Sequence, residues 1–223
     1  MFKKTWDKCL DILFPQICLN CKTFLEGAEN KNNLLCHDCL KSIAFFKTSF
    51  RLSPECRLFA LGPYEDVVLK KLIHHFKYKS FRNALTPIEP FINIYLEDLV
   101  EGTLNSYCIV VPIPLHKTRL RERGFNQSLL IAEIIGEKLN LKVVPEALKR
   151  IKNTKHQTEI QDDIRRKKNV LNCFAIDEKS VRNKSVLLVD DVYTSGATIN
   201  EAVKMFRHAG AKEINVFVLA KTR

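Results

Sequence analysis

One continuous stretch, residues 185–198, constrains the fold of this chain more than any other. It starts with four consecutive aliphatic residues, 186–189, which predict a strand buried on both faces. Asp190 and Asp191 end this predicted strand, and a short polar loop follows them. Apolar residues then recur at helical spacing, at Ile199, Ala202, Val203 and Phe206, before Gly210. The loop therefore lies at the carboxyl end of a strand, where open α/β sheets bind ligands.

The residues of this loop suit a phosphorylated sugar. Gly196 permits a positive φ and close backbone approach, and the free amides of a helix start attract phosphate, as do the nearby hydroxyls of Thr194, Ser195 and Thr198. Asp190 and Asp191 would repel a phosphate but suit a sugar diol or a Mg²⁺ shell. A ligand with a diol beside a 5′-phosphate is a ribose phosphate. The alternative is an ordinary strand-to-helix turn with solvated acids and a threonine N-cap.

The run from Val186 to Thr198 resembles the loop that binds 5-phosphoribosyl 1-pyrophosphate (PRPP) in type I phosphoribosyltransferases. The resemblance implies that Asp190 and Asp191 hold the ribose hydroxyls, as PRPP-binding and candidate catalytic residues. It also implies that the following loop holds the 5′-phosphate. The complete PRPP-binding set would be Asp190, Asp191, Tyr193, Thr194, Ser195, Gly196, Ala197 and Thr198. Ser195 stands where a second threonine is also common in that family.

Two pairs of cysteines near the amino terminus have the spacing of a metal site. Each pair has the form C-x₂-C, and 14 residues separate them: Cys18 and Cys21, then Cys36 and Cys39. Two such knuckles complete a tetrahedron around a structural Zn²⁺, which a segment with so little core needs in order to fold. Disulfides are the rival interpretation, but nothing in the sequence indicates secretion. His37 is a weaker substitute ligand, and the other cysteines are expected to be buried thiols: Cys9, Cys56, Cys108 and Cys173.

Length and composition indicate a globular protein. The 223 residues suit one domain of ordinary size with a small appendage, and 46% of them are hydrophobic against 27% charged. No apolar run approaches the ~20 residues of a membrane span. An amphipathic helix predicted over residues 2–13 is expected to dock on the protein itself, although it could lie on a membrane surface. Because Asp7, Lys8 and Asp11 interrupt any signal-peptide core, we expect a cytoplasmic protein.

The charge of the chain is strongly positive and unevenly distributed. The net charge is +11, and residues 117–168 hold 14 basic against 7 acidic side chains. Such a field attracts the phosphates of PRPP, of pyrophosphate or of nucleic acid. A generally basic, soluble surface is the simpler alternative.

Basic side chains also follow a second predicted strand, Tyr107–Val111. The loop after it contains Pro112, Pro114, Lys117, Arg119, Arg121 and Arg123, and a helix is predicted over Ser128–Leu139. This loop is the candidate pyrophosphate site. Further strands are predicted at residues 57–61, 142–144 and 214–220, helices at 67–76 and 87–100, and a helix with a connector over 40–56.

Residues 148–172 form a long polar segment with few apolar side chains. Long loops in compact domains are usually functional or disordered, so we interpret this segment as a mobile flap that closes over an anion. The residues proposed to act in the flap are Arg150, Gln157, Arg165 and Arg166.

Taken together, the motifs resemble the ComF family of competence-associated, phosphoribosyltransferase-like proteins. The matching runs are the four cysteines, Tyr64 to Lys77, Val-Pro-Ile-Pro with Arg-Gly-Phe-Asn-Gln, Arg150 onward with Gln157, Arg165 and Asn169, and the central loop that contains Asp190 and Asp191. The resemblance implies the type I phosphoribosyltransferase fold, an α/β fold with a mostly parallel sheet flanked by helices. That fold would span residues 56–223, and an amino-terminal helix and zinc module would span 1–55. It also implies a cytoplasmic role in the uptake or use of DNA, with a DNA helicase as partner.

Three functions fit these features. A phosphoribosyltransferase would displace pyrophosphate at the anomeric carbon of PRPP, with Mg²⁺ bridging the pyrophosphate. A non-catalytic module would instead bind single-stranded DNA through the basic segments, with Phe81 and Phe125 stacking on bases and a vestigial or regulatory PRPP site. The third is a zinc-stabilised scaffold that docks a helicase. The sequence shows no clear general base and no acceptor-binding hood.

Overall fold

A computed structural model describes residues 16–25, 34–46, 48–78, 89, 92–93, 95–96, 108–153 and 170–222. The predicted helix over residues 2–13, Cys9, Phe81 and the flap residues Gln157, Arg165 and Arg166 lie outside the described residues. Within the predicted helix at 87–100, the described residues Glu89, Ile92, Asn93, Tyr95 and Leu96 are helical.

The fold is built on a six-stranded sheet that is parallel except at one edge. Its strands are β1 (Phe50–Ser53), β2 (Cys56–Pro63), β3 (Cys108–Pro112), β4 (Lys142–Val143), β7 (Ser185–Tyr193) and β8 (Glu213–Lys221). Their order is β1-β2-β8-β7-β3-β4, and only β1 runs antiparallel to its neighbour. A separate antiparallel ribbon joins β5 (Leu148–Arg150) to β6 (Phe174–Ile176). The expected mostly parallel sheet is therefore confirmed.

Helices cover both faces of the sheet. They are α1 (His37–Lys41), α2 (Val67–Tyr78), α3 (Lys117–Arg123), α4 (Gln127–Leu139), α5 (Glu178–Val181) and α6 (Ala197–His208). Alternate residues of β7 enter two separate cores: Leu187 packs with residues of α2 and α4, whereas Leu188 packs with residues of α6. Burial on both faces is what the aliphatic run predicted. Among the described residues, no helix combines the length and apolar character that crossing a bilayer requires.

The cysteine-containing segment packs on helix α2. Cys18, Leu35, Cys39 and Ile43 share one core with Leu69 and Leu72 of that helix. The Asp66 carboxylate joins the two parts, because Oδ1 accepts from the first amides of α2 while Oδ2 accepts from Ala44 N–H at 3.0 Å. The Lys71 ammonium of α2 also donates to Asn20 Oδ1 at 2.9 Å. The predicted boundary between residues 55 and 56 stays a prediction, and strand β1 on one side of it pairs with β2 on the other.

The structure corrects two expectations about strands. Strand β7 does not end at Asp190 but continues to Tyr193, because Val192 and Tyr193 still pair with Ala220 and Lys221 of the equally long β8. The prediction of a helix with a connector over residues 40–56 is wrong for most of that range. A one-turn helix ends at Lys41, and Phe50–Ser53 instead forms an edge strand.

Two segments expected to be loops contain regular structure. The basic loop after β3 includes the two-turn helix α3, which Gly124 ends with a φ of 78°. The start of the predicted flap, Leu148–Arg150, is strand β5, and Val170 at its other end is buried. Pairing with β6 fixes the base of the segment, so a mobile flap over the whole of 148–172 is wrong. The central residues 154–169 lie outside the described part of the chain.

Candidate functional site

A cleft opens at the carboxyl ends of β3 and β7, the edge where the sequence places its polar loops. It is bordered by the start of α6, the start of α4 and the end of α2. Its lining includes these predicted site residues: Pro114, Arg119, Arg123, Arg150, Asp190, Asp191, Tyr193, Thr194, Gly196, Ala197 and Thr198. Three predicted site residues do not line the cleft: Pro112 is a buried residue of β3, Lys117 is exposed on α3, and Ser195 is a partly buried loop residue. The structure thus brings together two loops and a flap residue that are far apart in sequence.

The two adjacent carboxylates, here called the diacid (Asp190 and Asp191), are fixed by separate partners. Asp190 Oδ1 accepts from the Ser128 hydroxyl and from the Asp191 backbone N–H, both at 2.9 Å. Asp191 Oδ2 lies 2.9 Å from the Lys77 ammonium. The Asp191 side chain is 13% exposed and that of Lys77 22%, so this ion pair is largely withdrawn from water. Each carboxylate therefore has one engaged oxygen.

Burial and neighbouring charges shift the pKa values of Asp190 and Lys77. Burial and the neighbouring charge of Asp191 raise the pKa of Asp190 to about 7, although the Asp191 N–H, Lys77 and Ser128 pull it down. Burial alone would lower the pKa of Lys77, but the attraction of Asp191 and then Asp190 outweighs it and raises that pKa. Lys77 is therefore a cation at neutral pH, whereas Asp190 titrates near neutrality.

Thr222 supports one side of the loop between β7 and α6, and the other side lines the cleft. Gly196 has a φ of 71° and is the N-cap of α6, with no side-chain capping hydrogen bond, so the threonine cap considered from the sequence is not formed. Thr222 supports the loop by donating its N–H to Tyr193 O at 3.0 Å and its hydroxyl to Thr194 O at 3.3 Å. The first amides of a helix lack intrahelical acceptors and face an approaching anion. The Ser195 Oγ is buried and has no hydrogen-bond partner among the described residues.

The Arg-Gly-Phe-Asn-Gln run, residues 123–127, shapes the opposite wall of the cleft. Gly124 ends α3 in a left-handed conformation, and Asn126 caps α4 by accepting from Ser128 N–H at 3.2 Å. The Asn126 amide also donates to Ile113 O at 3.1 Å, which ties the loop to the strand end. Phe125 packs against Phe76, with ring centroids 5.6 Å apart, and against the core. This packing removes the support for Phe125 as a base-stacking residue.

Gln127 completes this wall as a buried residue of the cleft lining. Its side chain is 1% exposed, and Oε1 accepts from an Arg123 guanidinium nitrogen at 3.2 Å. The amide nitrogen has no hydrogen-bond partner among the described residues. Such a buried donor is costly unless a ligand or water accepts from it. Together with the guanidinium groups of Arg119 and Arg123, it makes this wall a donor surface.

Four polar residues of the cleft lining were not identified from the sequence: Tyr64, Lys77, Gln127 and Ser128. Lys77 lies just beyond the helix predicted at 67–76, and Ser128 lies at the first position of the helix predicted at 128–139. Their roles arise from tertiary packing, since α2 ends beside the carboxyl edge of β7. Only the matching of residues 64–77 and of Gln127 to family motifs pointed to them.

The four predicted metal ligands form a compact cluster. The sulfur atoms of Cys18, Cys21, Cys36 and Cys39 all lie within 4.8 Å of one another. Backbone and side-chain donors already orient two of them, because Cys36 N–H donates to Cys18 Sγ at 3.4 Å and the Asn20 amide donates to Cys39 Sγ at 3.3 Å. His37 is exposed and is not part of the cluster.

The electrostatics of the cluster favour a cation. The Thr23 hydroxyl and N–H lower the pKa of Cys21 to about 6. The Cys39 N–H lowers the pKa of Cys36, but burial and the three neighbouring thiols outweigh it and raise that pKa to about 12. Four adjacent thiolates repel one another unless a metal neutralises them. The cluster could therefore hold a metal ion such as Zn²⁺, for which four sulfur ligands are suitable.

The remaining described cysteines are buried thiols, as expected. Burial raises the pKa of Cys56 to about 11 and that of Cys108 to about 12, and it also raises the pKa of Cys173. These groups are poor metal ligands and poor nucleophiles.

Removing one cysteine of the cluster should remove a metal. We expect one equivalent of zinc in the purified, reduced protein by elemental analysis, and clearly less in Cys18→Ser. Limited proteolysis should then cut the amino-terminal segment first, because its core contacts depend on the cluster. Cys108→Ala is the matched control and should retain full zinc. Wild-type protein that is soluble, reduced and metal-free would contradict this assignment.

Gly196 and Gly210 offer a matched pair for testing the loop. Both have positive φ, so alanine at either position costs about 1–2 kcal/mol of backbone strain. At Gly210 the new Cβ meets only Arg182 Cγ at 3.6 Å, whereas at Gly196 it meets the Tyr193 ring, 2.6 Å from Cζ. Gly196→Ala should therefore be less stable in urea than Gly210→Ala and should lose affinity for a phosphorylated sugar. Equal affinity in the two variants would show that this loop does not contact the ligand.

Comparisons with known proteins agree with this geometry. Residues 126–223 match the family model described as the phosphoribosyl transferase domain. "Competence protein F" of Haemophilus influenzae is 28% identical over 92% of this chain and 96% of its own length. "Competence protein ComFC" of Bacillus subtilis is 26% identical over 98% of this chain and 90% of its own length. "DNA utilization protein YhgH" of Escherichia coli is 33% identical over 51% of this chain and 49% of its own length.

The matching domain contains the diacid, the α6 loop and the start of α4, and two relatives extend the similarity over nearly the whole chain. The fold is that of the phosphoribosyltransferases, with a four-cysteine cluster in the amino-terminal region. These similarities support a phosphoribosyltransferase-like protein of the ComF family.

Proposed function

We propose that this protein binds PRPP in the cleft and acts in the uptake or utilisation of DNA. The observation that carries the first part is the diacid beside a glycine-capped helix start, on one edge of the sheet. The second part is supported by the names of its relatives, two competence proteins and a DNA utilization protein.

The ribose would bind to the diacid. No described residue donates a hydrogen bond to Asp190 Oδ2 or to Asp191 Oδ1, while the other oxygen of each carboxylate is engaged. Two remaining acceptors match the two hydroxyl donors of a vicinal diol. The 5′-phosphate would then lie at the start of α6, where backbone amides are available donors.

The pyrophosphate would lie against the opposite wall. Arg119 and Arg123 line the cleft there, and the buried Gln127 amide supplies an uncharged donor. Guanidinium groups suit phosphate oxygens because they donate in a planar fork. A bound Mg²⁺ would neutralise the pyrophosphate as it leaves. Arg150, held over the Phe174 ring at 5.5 Å, borders the cleft from the β5–β6 ribbon and would contact the same anion.

Transfer of the phosphoribosyl group is the reaction that such a site would support. A nucleophile would form a bond to the anomeric carbon, and the bond to the pyrophosphate oxygen would break with its electron pair. The residues of this chain would act by positioning and by stabilising charge: carboxylates beside a cationic sugar, and guanidinium groups beside the anionic leaving group.

The second proposal is a non-catalytic protein in which PRPP binding is regulatory. Pyrophosphate release from PRPP in the presence of Mg²⁺ and candidate acceptors would decide for transfer.

Helix α3 provides a specific reason to retain nucleic acid as a partner. Its four basic residues form two i,i+4 pairs: Arg119 and Arg123 line the cleft, whereas Lys117 and Arg121 are exposed. One helix thus presents cations to the cleft and to the solvent at the same time. We propose that the exposed pair contacts the backbone of single-stranded DNA, as part of a cytoplasmic role that includes a DNA helicase partner.

Neutralising the diacid should abolish PRPP binding. Asp190→Asn with Asp191→Asn keeps the shapes of the side chains but replaces carboxylate acceptors and breaks the Lys77 ion pair. Titration calorimetry with PRPP and Mg²⁺ should show no binding, while the thermal transition persists. Asp177→Asn with Glu178→Gln is the matched control, since it also neutralises two adjacent acids, at the start of α5 away from the cleft lining. Unchanged PRPP affinity in the diacid variant would exclude this site.

The exposed pair on α3 can be tested by the salt dependence of DNA binding. Lys117→Gln with Arg121→Gln should weaken binding to a labelled single strand and reduce the slope of log K against log salt by about 1.4, because two fewer counterions are released. PRPP affinity should not change, since neither residue lines the cleft. Lys138→Gln with Lys142→Gln is the control with the same loss of charge. A slope and an affinity equal to those of the wild type would remove α3 from any DNA-binding surface.

A further inference from the structure

Lys77 brings a positive charge into the part of the cleft where two carboxylates meet. It is the penultimate residue of α2, and its ammonium lies 2.9 Å from Asp191 Oδ2. Phe76 beside it is fully buried and packs on Phe125, which fixes the direction in which the end of α2 points. The ion pair is thus built by packed elements and not by a mobile surface side chain.

Adjacent carboxylates at a strand end would ordinarily suit a divalent cation, because oxygen atoms are the ligands that Mg²⁺ and Mn²⁺ prefer. In this cleft one oxygen of each carboxylate already has a partner. The Lys77 ammonium occupies one oxygen of Asp191, and the Ser128 hydroxyl and a backbone N–H occupy one oxygen of Asp190. A divalent ion at the two remaining oxygens would lie beside the buried Lys77 ammonium, whose positive charge would repel it. The diacid therefore fits a divalent cation poorly.

The same contacts leave a good receptor for a diol. One oxygen of each carboxylate has no donor among the described residues, and a hydroxyl can donate to it without bringing charge. The positive charge that two buried carboxylates require is supplied by the protein itself.

We propose that Lys77 is the resident cation of the diacid: its ammonium fills the place of a divalent ion, so that Asp190 and Asp191 receive the ribose diol with no metal between them. This inference rests on the proposed ribose site and assigns Lys77 as a positioning residue in it. Mg²⁺ would accompany only the pyrophosphate of PRPP. A ribose phosphate without pyrophosphate should then bind in the absence of any divalent ion.

Calorimetry with ribose 5-phosphate tests the ribose half of the inference. In buffer freed of divalent ions by a chelating resin, the zinc-loaded wild type should bind, and added Mn²⁺ should not strengthen binding. Lys77→Met should weaken binding by at least about tenfold, the loss expected for one charge-assisted contact. Lys77→Arg should retain most of the affinity. Lys71→Met is the matched control, since it removes a lysine of the same helix whose ammonium contacts Asn20 outside the cleft.

Paramagnetic resonance of added Mn²⁺ tests the metal half without any sugar. The wild type should show no Mn²⁺ bound at the diacid. Lys77→Met should gain a Mn²⁺ site, and Lys77→Met with Asp191→Asn should lose it again. A wild-type Mn²⁺ site that Asp191→Asn removes would overturn the inference, and this result needs no folded Lys77→Met protein.

The outcomes separate this inference from the proposed function. Ribose 5-phosphate binding by the wild type only when Mn²⁺ is present would overturn the resident-cation role but would support the ribose site. Equal affinity in wild type and Lys77→Met would also overturn that role. Failure of the wild type to bind ribose 5-phosphate or PRPP under either condition would overturn the proposed ribose site and the diol part of the inference together. In that case, a Mn²⁺ site gained in Lys77→Met would still support the other part of the inference, that Lys77 compensates the negative charge of the diacid.

Discussion

Parallel pairing of β7 with β3 on one side and β8 on the other is the constraint on which the site depends. The strand is hydrogen-bonded along both edges, and its aliphatic half is buried on both faces, so it has no freedom to shift register without moving every apolar side chain to the wrong core. Its carboxyl end nevertheless bears two acids. The free energy gained by burying residues 186–189 is what holds Asp190 in a place where burial raises its pKa.

Helix α2 connects the two unusual features of the molecule. At its start, Asp66 caps the helix and binds Ala44, and Lys71 contacts Asn20, whose amide donates to a sulfur of the cysteine cluster. At its end, Lys77 pairs with Asp191. The cysteine segment and the cleft therefore share one rigid element and one core. The segment thus packs on α2 through the shared core and through the hydrogen bonds of Asp66 and Lys71.

Local sequence patterns were sufficient to predict the features that depend only on residues close together in the chain. The aliphatic run of β7, the apolar spacing of α6, the glycine at its start and the two C-x₂-C pairs each identified a feature that the structure shows at the same residues. The sequence was insufficient where partners come from distant segments. Nothing near Lys77 in the chain indicates Asp191, and the basic run after Pro114 carries no apolar stripe that would identify the short helix α3. Strand β1 at the sheet edge and the β5–β6 ribbon were missed because each is only three or four residues long.

The central claim is that the diacid and the α6 loop bind the two ends of one ribose phosphate. A crystal structure of the zinc-loaded protein with ribose 5-phosphate, obtained without divalent salts, tests it most directly. The account predicts the two ring hydroxyls within hydrogen-bonding distance of Asp190 and Asp191, the phosphate on the backbone amides at residues 195–198, and Lys77 still in contact with Asp191. A sugar bound elsewhere, or one held in the cleft with its phosphate against Arg119 and Arg123, would contradict it.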